Sequence, residues 1–236
     1  MDTTRIQPLC IAAPRTEAPL ASSYPLSPYL TVPFGQATFD AEGTEALGRF
    51  FSRRIHWPGG ASGVTIGRGY DMGGRTPSQV ERELTQSGMQ LEDAQWLANA
   101  AGLRGTAART FFERERVNSP LMPLQVQQSL FVGVTASETI ADIERIFAKE
   151  DTVARYGAVS WDALPKPVQE IVFDLRYRGD YTPRTREFIQ PLLVSRDWKG
   201  LYGVMTESDR WRELNVPQGR IDARADMAEA LRTVSE

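Results

Sequence analysis

The sequence predicts an α+β fold that is mostly helical, with a small β element near the N-terminus and a larger helical body. Residues 59–71 are dense in glycine yet contain a short β-type run at 64–66. From Thr76 onward, apolar residues recur at helical spacing almost to the end of the chain. We therefore expect a small β-hairpin lobe joined to a larger helical lobe.

Composition and length indicate one globular domain behind a leader. The chain has 236 residues, of which 41% are hydrophobic and 24% charged, which is ordinary usage for a protein with a sizeable core. Residues 1–34 contain six prolines and show no helical or alternating pattern. We predict that residues 1–34 form an extended or disordered leader and that residues 35–236 form the folded domain.

Several protein classes are disfavoured. The net charge of −3 argues against nucleic acid as the main partner. Cys10 is the single cysteine, so no internal disulfide forms. The chain shows no apolar run near 18 residues and no signal-peptide core, so we expect neither a transmembrane segment nor standard export. It has no zinc spacing and no phosphate loop, so we expect no metal and no cofactor.

The first elements are expected to surround the glycine-rich stretch. A short helix near residues 38–42 should end at Gly43, and a second helix is expected over 44–51. Residues 53–58 alternate like a strand, and with the glycine-rich turn and residues 64–66 they predict a twisted hairpin.

The rest of the chain is expected to be helical. Pro77 stands at the first position of one such helix, and residues 161–165 form a connector. Helices are predicted over residues 76–89, 91–103, 107–117, 123–134, 137–147, 165–179, 183–194, 198–205, 208–214 and 219–234.

Two carboxylates with a hydroxyl between them suggest glycoside hydrolysis. Cleaving a glycosidic bond takes an acid that protonates the leaving oxygen and a second group on the opposite face of the sugar. Glu42, beside apolar neighbours at a helix end, suits the acid because burial raises a carboxyl pKa. Asp71 suits the base, and Thr65 would hold the attacking water.

Each residue also has a purely structural explanation. A Glu at a helix end is usually solvated, an Asp after a strand is usually a turn residue, and Thr is a good strand former. His56 is the single histidine, and a Ser-His-Asp or Cys-His site would need it, but no G-x-S-x-G motif is present. Tyr177 could stack on a sugar or belong to the core.

A resemblance strengthens the hydrolase hypothesis. Residues 62–73, SGVTIGRGYDMG, resemble the signature stretch of the pesticin-like muramidases, bacterial toxins with the fold of phage-type lysozymes. Their working residues are a Glu ending the first helix, a Thr in the hairpin and an Asp six residues later, which Glu42, Thr65 and Asp71 match. Phage enzymes place the Asp six residues before the Thr, where this chain has Gly59.

The resemblance extends more weakly from residue 38 to the C-terminus. Residues 169–179 and 219–224 are similar to two helical segments of the family, although Arg178 replaces an Asn that precedes Gly there. The family's receptor and translocation region has no counterpart in the short leader.

The resemblance implies a lysozyme-like fold and an N-acetylmuramidase that cuts peptidoglycan. Glu42 would be the general acid, Asp71 the base or electrostatic partner, and Thr65 the residue that positions water. Four further residues are expected to bind substrate: Gly67, Arg68, Tyr70 and Tyr177.

The same resemblance implies a bacteriolytic role as an antibacterial toxin, effector or endolysin. The protein would be made in the cytoplasm and act in the periplasm of a target cell, delivered by a type VI-like secretion carrier or a phage. In the case of secretion, a cognate immunity protein that plugs the cleft would be expected. Two alternatives remain: a non-catalytic peptidoglycan-binding module of lysozyme fold, and a chitinase-like hydrolase acting on chitin or chitosan.

Overall fold

A computed structural model describes residues 27–48 and 51–234. Twelve α-helices accompany one two-stranded sheet in these ranges. This confirms the predicted class, α+β and mostly helical. The proline-rich part of the predicted leader up to residue 26 lies outside the described residues.

The last residues of the predicted leader pack against the domain. A 3₁₀ turn, Pro28–Leu30, precedes Val32, which is buried. The Phe34 ring meets Trp161 and Phe173 edge-on, with centroids 6.0 and 5.1 Å away. Residues 27–34 therefore contribute apolar contacts to the domain that follows them.

The first helix, α1 (Gln36–Ala41), ends where the sequence indicated. Glu42 is its C-cap residue, and its N–H donates to the Thr38 carbonyl at 3.0 Å. Gly43 follows in a crowded position, because a Cβ there would lie 2.4 Å from the Ser52 hydroxyl. The helix end and its glycine thus fix the point at which the Glu42 side chain leaves α1.

The helix expected over residues 44–51 is not formed at residues 44–48 and 51, the part of that range that the structure describes. Residues 45–48 form bends, and Thr44 makes a single parallel bridge with Phe51. The Thr44 carbonyl accepts from both the backbone N–H and the hydroxyl of Ser52, at 3.1 and 2.8 Å. The Thr44 carbonyl therefore bonds to Ser52 and does not point along a helix axis.

The hairpin joins β1 (Thr65–Ile66) to β2 (Tyr70–Asp71) in antiparallel register, with Thr65 opposite Asp71. Residues 67–69 turn the chain, with positive φ at both glycines. The predicted strand over 53–58 shrinks to one bridge from His56 to Thr65. Its other backbone groups bond elsewhere, since the Met122 N–H donates to the Arg53 carbonyl at 2.9 Å.

The helical body follows the predicted order with shifted ends. A capping box at Thr76 and Gln79 opens the first of these helices. The helix predicted to end at residue 103 stops at Ala98. The helix over 150–156, where Thr152 is the buried residue, was not predicted from the sequence. The helices are α2 (Pro77–Gln86), α3 (Leu91–Ala98), α4 (Gly105–Glu115), α5 (Leu124–Leu130), α6 (Ser137–Phe147), α7 (Glu150–Tyr156), α8 (Lys166–Arg178), α9 (Pro183–Ser195), α10 (Trp198–Thr206), α11 (Ser208–Glu213) and α12 (Gln218–Glu229).

Two apolar clusters form the core. The smaller cluster joins the hairpin to α2–α5, and the larger joins α1 to α6 and α8–α12. A π-helical segment, Phe131–Ala136, connects α5 to α6 and so joins the clusters. No helix in the described ranges has the length and hydrophobicity of a membrane span. Since α1 and the hairpin belong to different clusters, residues from both can face one cleft.

Candidate active site

The three predicted catalytic residues line one cleft, a cavity of about 580 Å³. Glu42 reaches it from α1, and Thr65 and Asp71 reach it from the hairpin. The other lining residues are His56, Pro58, Ser62, Gly69, Thr135, Glu138, Thr139 and Tyr177. The cleft therefore brings together carboxylates and a hydroxyl from elements far apart in the sequence.

A larger depression, about 1050 Å³, lies between α4 on one side and residues 47–48 and 51–57 on the other. Its one carboxyl is Glu113, which pairs with Arg109 at 2.8 Å. Paired carboxylates are what glycoside hydrolysis needs, so the chemistry points to the smaller cleft.

The Glu42 carboxyl is partly buried and contacts the Arg220 guanidinium. Burial raises the pKa of Glu42, and nearby Asp174 raises it further, while Arg220 opposes both effects. The net effect is a pKa above the ordinary value for glutamate. Glu42 thus holds its proton at a higher pH than an exposed carboxyl does.

Behind Glu42, buried charges of alternating sign connect three parts of the fold. Arg220 of α12 contacts both Glu42 and Asp174 of α8, whose carboxylate is 1% exposed. Arg224 donates to Asp174 at 2.7 Å and to Asp180 at 2.5 Å. Because every charge in this chain of contacts has an opposite neighbour, the fold can bury it.

Asp71 is held in place by backbone groups of the hairpin. Its carboxylate accepts from the Gly73 N–H at 2.7 Å and from the Gly63 N–H at 3.2 Å. A Cβ at Gly63 would lie 2.1 Å from an Asp71 carboxylate oxygen, so glycine is required there. Residues directly opposite in a sheet share a face, which places Asp71 and the buried Thr65 side by side.

Tyr177 of α8 reaches the cleft over the hairpin turn. Its hydroxyl donates to the Arg68 carbonyl at 3.1 Å. A Cβ on Gly69 would lie 1.6 Å from that hydroxyl oxygen, so the contact depends on glycine. Burial raises the pKa of Tyr177, and the Glu42 charge adds to the effect, so the phenol stays neutral.

The structure does not bring Gly67, Arg68 or Tyr70 to the cleft. Arg68 is buried, donates to the Phe39 carbonyl at 2.5 Å and stacks on that ring at 4.1 Å. The Tyr70 hydroxyl donates to Glu83 at 2.7 Å. A Cβ at Gly67 would meet Met122 at 3.3 Å. All three residues therefore contact other parts of the fold, whereas the sequence analysis expected them to contact substrate.

The part of the cleft lining that comes from the π-helical segment and α6 was not predicted from the sequence. The π-helical segment and α6 contribute Thr135, Glu138 and Thr139, whose i, i+3, i+4 spacing is the signal of one helix face. Arg220 and Arg224 carried the same signal at i, i+4 on a partly apolar helix. Neither pattern says by itself that the face borders a cleft.

No three His, Cys, Asp or Glu side chains within residues 27–48 and 51–234 lie together as a metal site would require. Comparison with curated proteins gives no match. The model of a family described as a domain of unknown function, DUF8812, matches residues 35–225. This range covers most of the chain, including the whole cleft. The chain therefore belongs to the DUF8812 family.

Proposed function

We propose that this protein is a glycoside hydrolase of lysozyme-like fold that acts as an N-acetylmuramidase. It would cleave the β-1,4 bond between N-acetylmuramic acid and N-acetylglucosamine in peptidoglycan. The observation that carries the proposal is the convergence of Glu42, Thr65 and Asp71 on one cleft. Two carboxylates on separate elements suit a reaction that needs one group on each side of the scissile bond.

Glu42 is the general acid in this proposal. A general acid works best when its pKa lies near the operating pH, and burial raises the pKa of Glu42 in that direction. In the first step its proton moves to the glycosidic oxygen as the bond from that oxygen to the anomeric carbon breaks. Arg220 then faces the carboxylate that remains and stabilises its charge.

Asp71 is the base or electrostatic partner. Two backbone N–H groups hold its carboxylate, and a carboxylate has further lone pairs to accept a proton from water. Thr65 stands directly opposite on β1, and its hydroxyl positions the water whose oxygen bonds to the anomeric carbon as a proton of that water passes to Asp71. The arrangement needs no metal or cofactor.

The proposed substrate gives the protein a bacteriolytic role. Peptidoglycan lies outside the cytoplasmic membrane, so the protein would act as a toxin, effector or endolysin in the periplasm of a target cell. A secretion-system or phage carrier and a cognate immunity protein stay predictions from the resemblance stated above.

The first experiment compares two glutamate variants on purified sacculi and on soluble chitin oligomers. Glu42→Gln removes the acid. Glu170→Gln is the matched control, because Glu170 is also partly buried with a pKa raised by burial, yet it lies outside the cleft and accepts from the Gly35 N–H at 2.9 Å. The readouts are release of soluble fragments and binding by co-sedimentation.

We expect wild type and Glu170→Gln to release fragments from sacculi, and Glu42→Gln to be slower by about 10²–10⁴-fold. If all three proteins bind sacculi and none releases fragments, the protein is a peptidoglycan-binding module and not an enzyme. Cleavage of chitin oligomers but not sacculi would keep the hydrolase and change its substrate. Equal release by Glu42→Gln would remove Glu42 from the acid role.

A further inference from the structure

His56 lies in the same cross-strand row as the two hairpin residues of the cleft. Its backbone N–H donates to the Thr65 carbonyl at 2.8 Å, and the Thr65 N–H donates back at 2.9 Å. Thr65 in turn stands opposite Asp71. Directly opposed residues share one face of a sheet, so the three side chains form a row, and all three line the cleft.

The contacts of the His56 ring define what it can offer a ligand. Its Nδ1 lies 3.4 Å from the Arg54 carbonyl oxygen. A carbonyl can only accept, so a hydrogen bond there requires the proton on Nδ1, which leaves Nε2 as an acceptor in the neutral ring. Burial lowers the pKa of His56, which favours that neutral form. The ring is therefore suited to accept a hydrogen bond.

We propose that His56 is a substrate-positioning residue. Its imidazole accepts a hydrogen bond from an N–H or O–H donor of the sugar that lies over Thr65 and Asp71. This inference rests on the proposed function and deepens it, because it assigns to the same cleft a residue that touches substrate without taking part in proton transfer. The hydrogen bond holds the sugar equally in the ground state and the transition state, so its loss would weaken binding and leave kcat nearly unchanged.

The test uses two substitutions at His56 and one neighbour. His56→Phe keeps a ring but removes the acceptor, whereas His56→Gln keeps an acceptor. Ile55→Val is the matched control, since Ile55 lines the depression on the other side of the same segment. The measurements are kcat and KM on soluble peptidoglycan strands, thermal unfolding, and the Kd for those strands in a Glu42→Gln background, where binding is measured without cleavage.

We expect His56→Phe to raise KM and Kd by about two- to tenfold, the range for one hydrogen bond, with kcat within twofold of wild type. His56→Gln should recover most of the loss, and Ile55→Val should show none. An unchanged Kd and KM in a folded His56→Phe would overturn the inference, as would a loss confined to kcat and thermal stability. Weaker binding by His56→Phe in the Glu42→Gln background, together with a wild type that never cleaves, would support His56 and reject the hydrolase.

Discussion

At the residue scale, the behaviour of Glu42 is set by a balance between burial and one guanidinium. Burial and Asp174 raise the pKa of Glu42, and Arg220 lowers it. In the proposed mechanism Glu42 acts in its acid form, so activity should fall as pH rises through this pKa. If Glu42 is the acid, Arg220 limits how far the active pH range extends toward neutral and alkaline values.

A pH profile of Arg220→Gln tests this balance. Removing the guanidinium takes away the influence that lowers the pKa of Glu42, so the alkaline limb of kcat/KM should move to higher pH than in wild type. Arg109→Gln changes an exposed arginine outside the cleft and should leave the limb in place. A limb that stays fixed in Arg220→Gln would show that another group controls it.

Also at the residue scale, local sequence was sufficient to select Glu42, Thr65 and Asp71, which line one cleft. Each lies in or beside a glycine-marked turn, and the glycines are there because the backbone approaches side chains too closely for a Cβ, as at Gly63. His56 and Arg220 were not assigned to the site. Their positions depend on cross-strand pairing and on packing of α12 against α8, which no local pattern states.

At the element scale, the hairpin positions Asp71 through Gly63. A Cβ at Gly63 would lie 2.1 Å from the Asp71 carboxylate and 2.4 Å from the Gly73 backbone nitrogen. Real Cβ contacts are never this close, so either the carboxylate or the chain from β2 to Gly73 must move. The hairpin therefore tolerates no side chain at this point.

Gly63→Ala is expected to lower activity at least tenfold and to destabilise the fold, because overpacking of this kind costs about 1–3 kcal/mol. Gly219→Ala is the control, since it opens onto free space in α12 and alanine favours a helix. The measurements are the activity and the thermal unfolding temperature of both variants. Normal activity in Gly63→Ala would mean that the site of Asp71 is not constrained as described.

Element boundaries show where sequence patterns succeed. The Thr76–Pro77 start of α2 and the Gly179 stop of α8 are local signals, and both hold. The expected helix over 44–51 fails because Ser52 captures the Thr44 carbonyl, a contact that depends on the tertiary fold. Residues 44–48 instead form a loop beside Arg68, whose guanidinium pairs with Glu45.

At the scale of the whole molecule, buried charges connect α1, α8 and α12 behind the cleft. Asp174 accepts from Arg220, from Arg224 and from the Thr38 hydroxyl at 3.0 Å. Arg224 is fully buried, so the cost of burying its positive charge is offset only by the carboxylates that pair with it. Removing one partner of such a set leaves an uncompensated buried charge.

Asp174→Asn is expected to lower the free energy of unfolding by about 3–5 kcal/mol, measured by urea denaturation at fixed pH. The comparison is Glu113→Gln, which removes one partner of an exposed pair and should cost less than about 1 kcal/mol. Similar losses in the two variants would mean that the buried charges add little to stability.

Identification of the reducing ends released from purified sacculi tests whether the protein is a muramidase with Glu42 as its acid. We expect fragments with a reducing N-acetylmuramic acid end from wild type and from Glu170→Gln, and none above background from Glu42→Gln. Fragments ending in reducing N-acetylglucosamine, peptides released without new reducing ends, or identical fragments from Glu42→Gln would contradict this assignment.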